Sequence, residues 1–223
     1  MALMNLDAGE HPDEPEELWA LFDVLNIACG GHAGDAGSMD KVVRWCVESG
    51  ATIGAHPSYP DRAGFGRRTM AIEPAALQAS LTEQCAALAE IARRHARQVA
   101  YVKPHGALYH DAAASPAIAR AVVGAAAGVL GDRIVVVGPP AGALRDEAAA
   151  RGLSYAAEGF ADRRMRPDGS LVPRTEPGAL LTEPAEAAAQ ARALAARVDT
   201  ICVHADTPGA LAIAGAVHRA LHG

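Results

Sequence analysis

The sequence predicts a parallel α/β barrel, and three observations carry that expectation. Seven short apolar runs alternate with longer amphipathic stretches along the 223 residues, the rhythm of a parallel sheet with helices outside it. The conspicuous polar residues fall directly after the apolar runs, at the end of the sheet where folds of this class keep their sites. No Gly-rich dinucleotide fingerprint follows the first run, and no low-complexity linker divides the chain. One barrel domain over residues 1–223 is therefore preferred to an open doubly wound sheet.

The first strand is expected at Leu3 to Leu6. A helix should follow from Glu14 to Asp23, with Pro15 in its first turn and Leu18, Leu21, Phe22 and Leu25 on one face. Val24 to Ala28 is the second strand. Ser38 is expected to cap a helix through Glu48, with Met39, Val42, Val43, Cys46 and Val47 at helical spacing and Gly50 as its stop. Ala51 to Gly54 is the third strand. Pro74 to His95 is the longest helix, with Leu77, Leu81, Leu88 and Ile91 inward. Val99 to Val102 is the fourth strand, and Ser115 caps a helix reaching about Leu130. Ile134 to Val137 is β-branched enough to be the clearest strand. A helix from Ala141 to Arg151, a strand from Leu153 to Ala157 and a helix from Pro184 to Arg197 come next. Thr200 to Val203 is the seventh strand, and Pro208 to Leu221 closes the chain as a helix.

Composition narrows the partners. The net charge is −6 and no basic stripe occurs, which excludes a nucleic-acid binder. Arg62, Arg67 and Arg68 are separated by Gly64, Phe65 and Gly66 and read as a loop. The first 20 residues carry six acidic groups and no basic start, so no targeting segment is expected. The apolar stretches are Ala-rich and broken, too short for a membrane. Cys29, Cys46, Cys85 and Cys202 form no C-x-x-C pair and read as small buried hydrophobes in a reducing cytoplasm. Cys29 beside His32 is a weaker candidate for a thiolate nucleophile than for a packed cysteine.

The loops after the seven runs hold Asn5, Asp7 and Glu10; His32 and Asp35; His56; Lys103 and His105; Gly138 to Gly142; Glu158, Asp162 and Arg163; and His204 and Asp206. Four of the nine histidines are among them. His32, His56, His105 and His204 are therefore expected to share one cavity with Asp7, Asp35 and Asp206. Such a set supports acid–base chemistry, or a divalent metal in the barrel mouth with Asp7, His32 and His56 as candidate ligands. Ser58, between Pro57 and Pro60, reads as part of a shaped loop. A lysine leaving an apolar strand, as Lys103 does, implies a depressed pKa or a bound anion, and Lys103→Ala should cost turnover more than stability. Arg163 and Arg174 can hold a carboxylate or phosphate, or be solvated loop residues. Asp168-Gly169 is a turn signal. His95, His218 and His222 read as surface residues.

Six segments together resemble the LamB/YcsF family: Asn26 to Asp35, Gly54 to Ser58, Lys103 to Tyr109, Phe160 to Arg163, Asp168 to Arg174, and Val203 to Pro208. The resemblance implies a distorted seven-stranded barrel related to glycoside hydrolases and polysaccharide deacetylases. It implies opening of the 5-oxoproline lactam to L-glutamate, coupled to ATP with Mg²⁺, in a complex with two further subunits. On that footing His32, His56 and Asp7 activate water, Lys103 and His105 face the activated oxygen, and Arg163 or Arg174 clamps the substrate carboxylate. Asn5, Glu10, Asp35, Glu158, Asp162, His204 and Asp206 complete the substrate-binding set. No P-loop is present, and Pro139 and Pro140 remove N–H donors from the one nest-like loop. The phosphate chemistry is thus expected from a non-standard site or a partner. Four positions depart from the family pattern: Leu3 replaces an Asp, Gly31 a bulky residue, Met165 an aromatic and Ala205 a glycine. Leu3 is expected to cost the site one carboxylate. Two alternatives stay open: a metal-dependent amidohydrolase or deacetylase without ATP, and a non-catalytic ligand-binding subunit.

Overall fold

A computed structural model describes residues 2–166, 170–174 and 176–223; the Asp168-Gly169 turn signal lies outside the described residues. Seven parallel strands close a barrel in chain order, the last pairing with the first. They are β1 (Leu3–Ala8), β2 (Val24–Ala28), β3 (Thr52–His56), β4 (Tyr101–Val102), β5 (Val135–Gly138), β6 (Ser154–Phe160) and β7 (Thr200–Cys202). The helices are α1 (Glu16–Trp19), α2 (Ala36–Ser49), α3 (Pro74–Arg94), α4 (Gly106–Ala114), α5 (Pro116–Leu130), α6 (Ala143–Ala150), α7 (Pro184–Leu194) and α8 (Ala210–His222).

Successive strand residues face opposite sides of a sheet, and here the two sides differ in chemistry. Met4, Leu6, Leu25, Ile27, Ile53, Val102, Val136 and Ile201 belong to the apolar core between barrel and helices. The alternate positions turn Asn5, Asp7, Asn26, Glu158, Thr200 and Cys202 into the bore. Contacts across the barrel establish this: Lys103 on one side reaches Asn5 and Asp7 on the other. Gly54 makes room for this polar layer, since a Cβ there would lie 2.5 Å from Asn26 Oδ1.

The strand–helix order is as expected, and the differences are local. Helix α1 is a single turn, Leu25 lies in β2, and Glu14 stands outside the helix with its carboxylate turned to the backbone of the preceding loop. Helix α2 is capped by Asp35 rather than Ser38. The Asp35 carboxylate accepts from Ser38 N, and Ser38 Oγ accepts from Asp35 N, a reciprocal capping box. Helix α4 was hidden in an Ala-rich stretch of weak periodicity. Its Gly106 has φ +58°, and a Cβ there would meet Gly66 O at 2.5 Å.

Leu3 is 37% exposed at the start of β1. It borders a cavity of about 440 Å³ with Phe22 and Trp45, at the opposite end of the barrel from the polar mouth. Asp7 lies four steps along the strand from it, roughly 13 Å. The aspartate that Leu3 replaces therefore costs the mouth no carboxylate. All four cysteines are buried and unpaired, and burial pushes the Cys29 thiol well up, which suits packing and not a nucleophile. Among the described residues no single helix is long and apolar enough to cross a membrane.

Candidate active site

The bore is built in tiers. At its floor Asn5 Nδ2 donates to Thr200 Oγ1 at 2.8 Å, and Asn26 Nδ2 donates to Asn5 Oδ1 at 2.9 Å. Above them Lys103 crosses the barrel. Its ammonium lies 2.8 Å from Asp7 Oδ1 and 2.8 Å from Glu158 Oε1. Its hydrogen bonds go to Asp7, to Asn5 Oδ1 at 3.2 Å and to Cys202 Sγ at 3.2 Å, whereas the buried Glu158 oxygens have no hydrogen-bond partner among the described residues. Burial alone would lower the Lys103 pKa. Asp7 first, then Cys202 and Glu158, overcome this and hold it well above the usual value. The expected depressed pKa is thus corrected: Lys103 is a buried, fully charged lysine whose anions are the protein's own. Its three N–H donors are all engaged there.

Histidines form the upper tier. His56 ends β3 and its Nδ1 lies 2.7 Å from Lys103 O. A carbonyl only accepts, so Nδ1 carries a proton. The other nitrogen, Nε2, faces Asp7 Oδ2 at 3.3 Å and His105 Nδ1 at 3.0 Å. His105 in turn donates from Nε2 to Phe65 O at 2.9 Å. Glu10 Oε1 lies 2.8 Å from His32 Nε2 and 3.0 Å from His105 Nδ1. The rings of His32 and His105 stack in parallel, 3.6 Å apart.

These surroundings drive the groups apart in pKa. Burial pushes His32 down to about 4, against the pull of Glu10. Burial likewise lowers His105. Burial would lower His56 too, but the Asp7 carboxylate beside it wins and raises it. Burial would raise Asp7, yet His56 and Lys103 hold it well below the carboxylate range. Glu10 is held low in the same way by the imidazoles of His105 and His32. His56 and His105 are thus shifted in opposite directions, with a carboxylate held low at each end of the pair.

Across the mouth Asp162 takes the backbone N–H and Nδ1 of His204 at 2.9 and 3.0 Å and the Thr207 hydroxyl. Phe160 stacks on the His204 ring. The four expected histidines are thus drawn together: His204 has a ligand atom within 4.8 Å of Asp7, and Asp7 contacts His56. At the rim Asp206 bridges Arg67 and Arg174. Arg163 is buried, donates from Nη2 to Val172 O at 2.8 Å, and keeps Nε without a partner among the described residues. Asp35 does not join them; its exposed carboxylate serves the α2 cap.

Several residues here were not singled out from sequence. Glu14 is buried, and its carboxylate accepts from the N–H groups of Gly9, Glu10 and His11 and from Trp19 Nε1, at 2.8, 2.8, 2.9 and 3.1 Å. It fixes the loop that carries Glu10. Phe65 has φ +54°, an uncommon conformation for a bulky residue and one found at constrained sites. Its ring packs edge-on against His32 and His105.

Among the described residues, two groups of side chains have the donor atoms for a metal, all within 4.8 Å of one another: Glu10, His32, His56 and His105, and separately Asp7, Cys202 and His204. The trio expected from sequence is split between them. Lys103 already supplies the cation of the second group, touching both Asp7 and Cys202. The first group has the donors of a borderline divalent metal.

The family model described as LamB/YcsF matches residues 4–223. A 5-oxoprolinase subunit from Methylococcus capsulatus is 44% identical, the match covering 95% of this chain and 88% of that protein. Its counterpart from Chloroflexus aggregans is 40% identical over 98% of this chain and 94% of the relative. The crystal structure of a lactam utilization protein from Thermus thermophilus superposes with a TM-score of 0.90 at 33% identity, covering 99% of this chain and 95% of that one. The chain belongs to the LamB/YcsF family.

Proposed function

We propose that this chain is the lactam-opening subunit of a cytoplasmic, ATP-dependent 5-oxoprolinase, which hydrolyses 5-oxoproline to L-glutamate together with two further subunits. The relatives' names support the substrate. The observation that carries the chemistry is the His56–His105 pair, 3.0 Å apart, with Asp7 and Glu10 at its ends. Environments that push neighbouring pKa values apart assign acid and base. Neutral His105 accepts a proton from water as the oxygen adds to the lactam carbonyl. Charged His56 gives its Nε2 proton to the departing ring nitrogen. The proton then passes from His105 Nδ1 back to His56 Nε2. It has a carboxylate at each stop, Glu10 beside His105 and Asp7 beside His56. His105 thus takes the water-activating role expected of His56, and His56 becomes the proton donor to the ring nitrogen instead of His105 facing the activated oxygen. Lys103, saturated by its partners, positions Asp7.

The mouth does not fit a triphosphate. Asp7, Glu10, Glu158, Asp162 and Asp206 line or border it. The loop at Pro139 and Pro140 lacks two N–H donors, and its carbonyls accept from Tyr155 Oη and Arg145 Nη1. The nucleotide chemistry is therefore assigned to the partner subunits. The test is ATP-dependent glutamate release from 5-oxoproline, with the chain alone and with both partners. Release is expected only from the full mixture; none from any mixture refutes the reading.

A second reading is a metal-dependent amidohydrolase or deacetylase, favoured by the convergence of Glu10, His32, His56 and His105. A divalent ion held there would polarise an amide carbonyl. The parallel rings of His32 and His105 point their in-plane lone pairs side by side, so one ring must turn before both reach an ion. Metal analysis of chain purified without chelator separates the readings. A stoichiometric ion lost in His32→Asn supports this one, and a metal-free chain refutes it.

A further inference from the structure

Resting on the lactam reading above, we propose that Arg163 is the residue that selects a ring bearing a carboxylate, so that the site takes small carboxylated cyclic amides and discriminates against the same ring without the acid. Arg163 stands three residues beyond the end of β6 and is only 7% exposed. Its Nη2 is used on Val172 O, but its buried Nε donor has no partner among the described residues. A buried guanidinium with an unfilled donor is costly, and nearby protein carboxylates do not fill it. Asp162, its neighbour in sequence, is spent on His204 and Thr207. Asp206 is spent on Arg67 and Arg174.

Charge at the rim leads to the same ligand. Three guanidinium groups, from Arg67, Arg163 and Arg174, stand there against two carboxylates, Asp206 and Asp162, both already hydrogen-bonded to other groups. Arg174 is close enough to Arg163 to help push its pKa down, after burial itself. An incoming anion relieves both the repulsion and the unfilled donor. Beside Arg163 lies a small apolar cluster separate from the main core, made of Tyr109, Phe160 and Cys202 with Leu171 against it. Phe160 sits between the two regions of the mouth: its ring is 5.6 Å from the Lys103 ammonium and stacked on His204. A flat five-membered ring over Phe160, with its acid on Arg163, brings its amide toward the His56–His105 pair. A guanidinium fork suits a planar carboxylate; inorganic phosphate is the rival anion.

Isothermal titration of the chain, alone and in the assembled complex, tests this with 5-oxoproline, 2-pyrrolidinone and inorganic phosphate. The wild-type chain is expected to prefer 5-oxoproline to 2-pyrrolidinone by about 10- to 100-fold, the worth of one or two charge-assisted hydrogen bonds. Arg163→Met should erase that preference while leaving 2-pyrrolidinone binding unchanged. If Arg163→Met does not fold, Arg163→Lys carries the test: it keeps the charge, loses the fork, and should cut the preference at least about 5-fold. Preference that survives either folded variant overturns the role of Arg163 and leaves the lactam reading standing. Phosphate displacing 5-oxoproline at equal concentration overturns carboxylate selection. Binding of neither ring by either form overturns the proposal and the lactam reading together.

Discussion

Replacing Lys103 with methionine keeps most of its unbranched stem and removes its charge, leaving two buried carboxylates facing each other. In the wild-type chain the Lys103 ammonium is 2.8 Å from both Asp7 and Glu158. Removing one partner of a buried ion pair typically costs about 3–5 kcal/mol, because the remaining charge stays uncompensated. For a chain of this size each kcal/mol moves Tm by about 2–4 °C, so Lys103→Met should lower Tm by roughly 6–20 °C. The sequence alone suggested that losing this lysine would cost turnover more than stability; the ion-pair geometry predicts a large loss of stability as well. Adding Glu158→Gln to Lys103→Met removes one stranded charge. A double-mutant cycle by urea denaturation should then show a favourable coupling of at least about 1.5 kcal/mol, well above the ~0.5 kcal/mol of independent sites. A Lys103→Met chain within about 1 kcal/mol of wild type, with additive effects, would show that the ammonium does not neutralise the bore.

Other consequences follow from single contacts. The His32 pKa falls from 6.5 to about 4 on folding, so the unfolded chain binds this proton more tightly. Stability should drop as pH falls from 6.5 toward 4, by roughly 3 kcal/mol at 1.36 kcal/mol per pH unit. Urea midpoints across that window should flatten in His32→Asn, and an unchanged slope contradicts the assignment. Glu14→Gln turns one oxygen that accepts two N–H groups into a donor, and should cost about 2–3 kcal/mol in urea and slow turnover by loosening Glu10. No change in either would remove Glu14 from the account. At Gly31 a Cβ would lie 2.4 Å from both Gln84 Oε1 and Ser58 Oγ, so Gly31→Ala should cost about 1–3 kcal/mol. Gln84→Ala should recover part of this loss; full additivity would argue against the clash.

Much of the barrel was legible because alternating apolar runs and amphipathic helices leave few other packings. The mouth was legible for a related reason. A parallel strand delivers the residue after its last apolar position to one end of the sheet, so His56, Lys103 and His204 announced themselves by place. The polarity of the bore was harder to see. Asn26 and Cys202 lie inside runs that read as buried strand, and only closure of the barrel decides that their side faces the bore. Glu14 resembled an ordinary helix start, because three of its four N–H partners come from a loop whose fold no periodicity encodes. Arg67 was assigned to a loop by its glycines, and its reach across the mouth to Asp206 is a tertiary contact. Asp35 shows the converse: its place in a motif suggested substrate, while the backbone N–H groups opening α2 claimed its side chain.

The claim that the acid–base pair of the reaction resides in this chain is tested most directly by His105→Asn in the assembled complex. The measurement is ATP-dependent glutamate release from 5-oxoproline, with assembly verified by size-exclusion chromatography. The account predicts an intact complex whose turnover falls by about 10²–10⁴-fold, the usual worth of a positioned general base. An intact complex that releases glutamate at the wild-type rate would place the lactam chemistry elsewhere in the assembly.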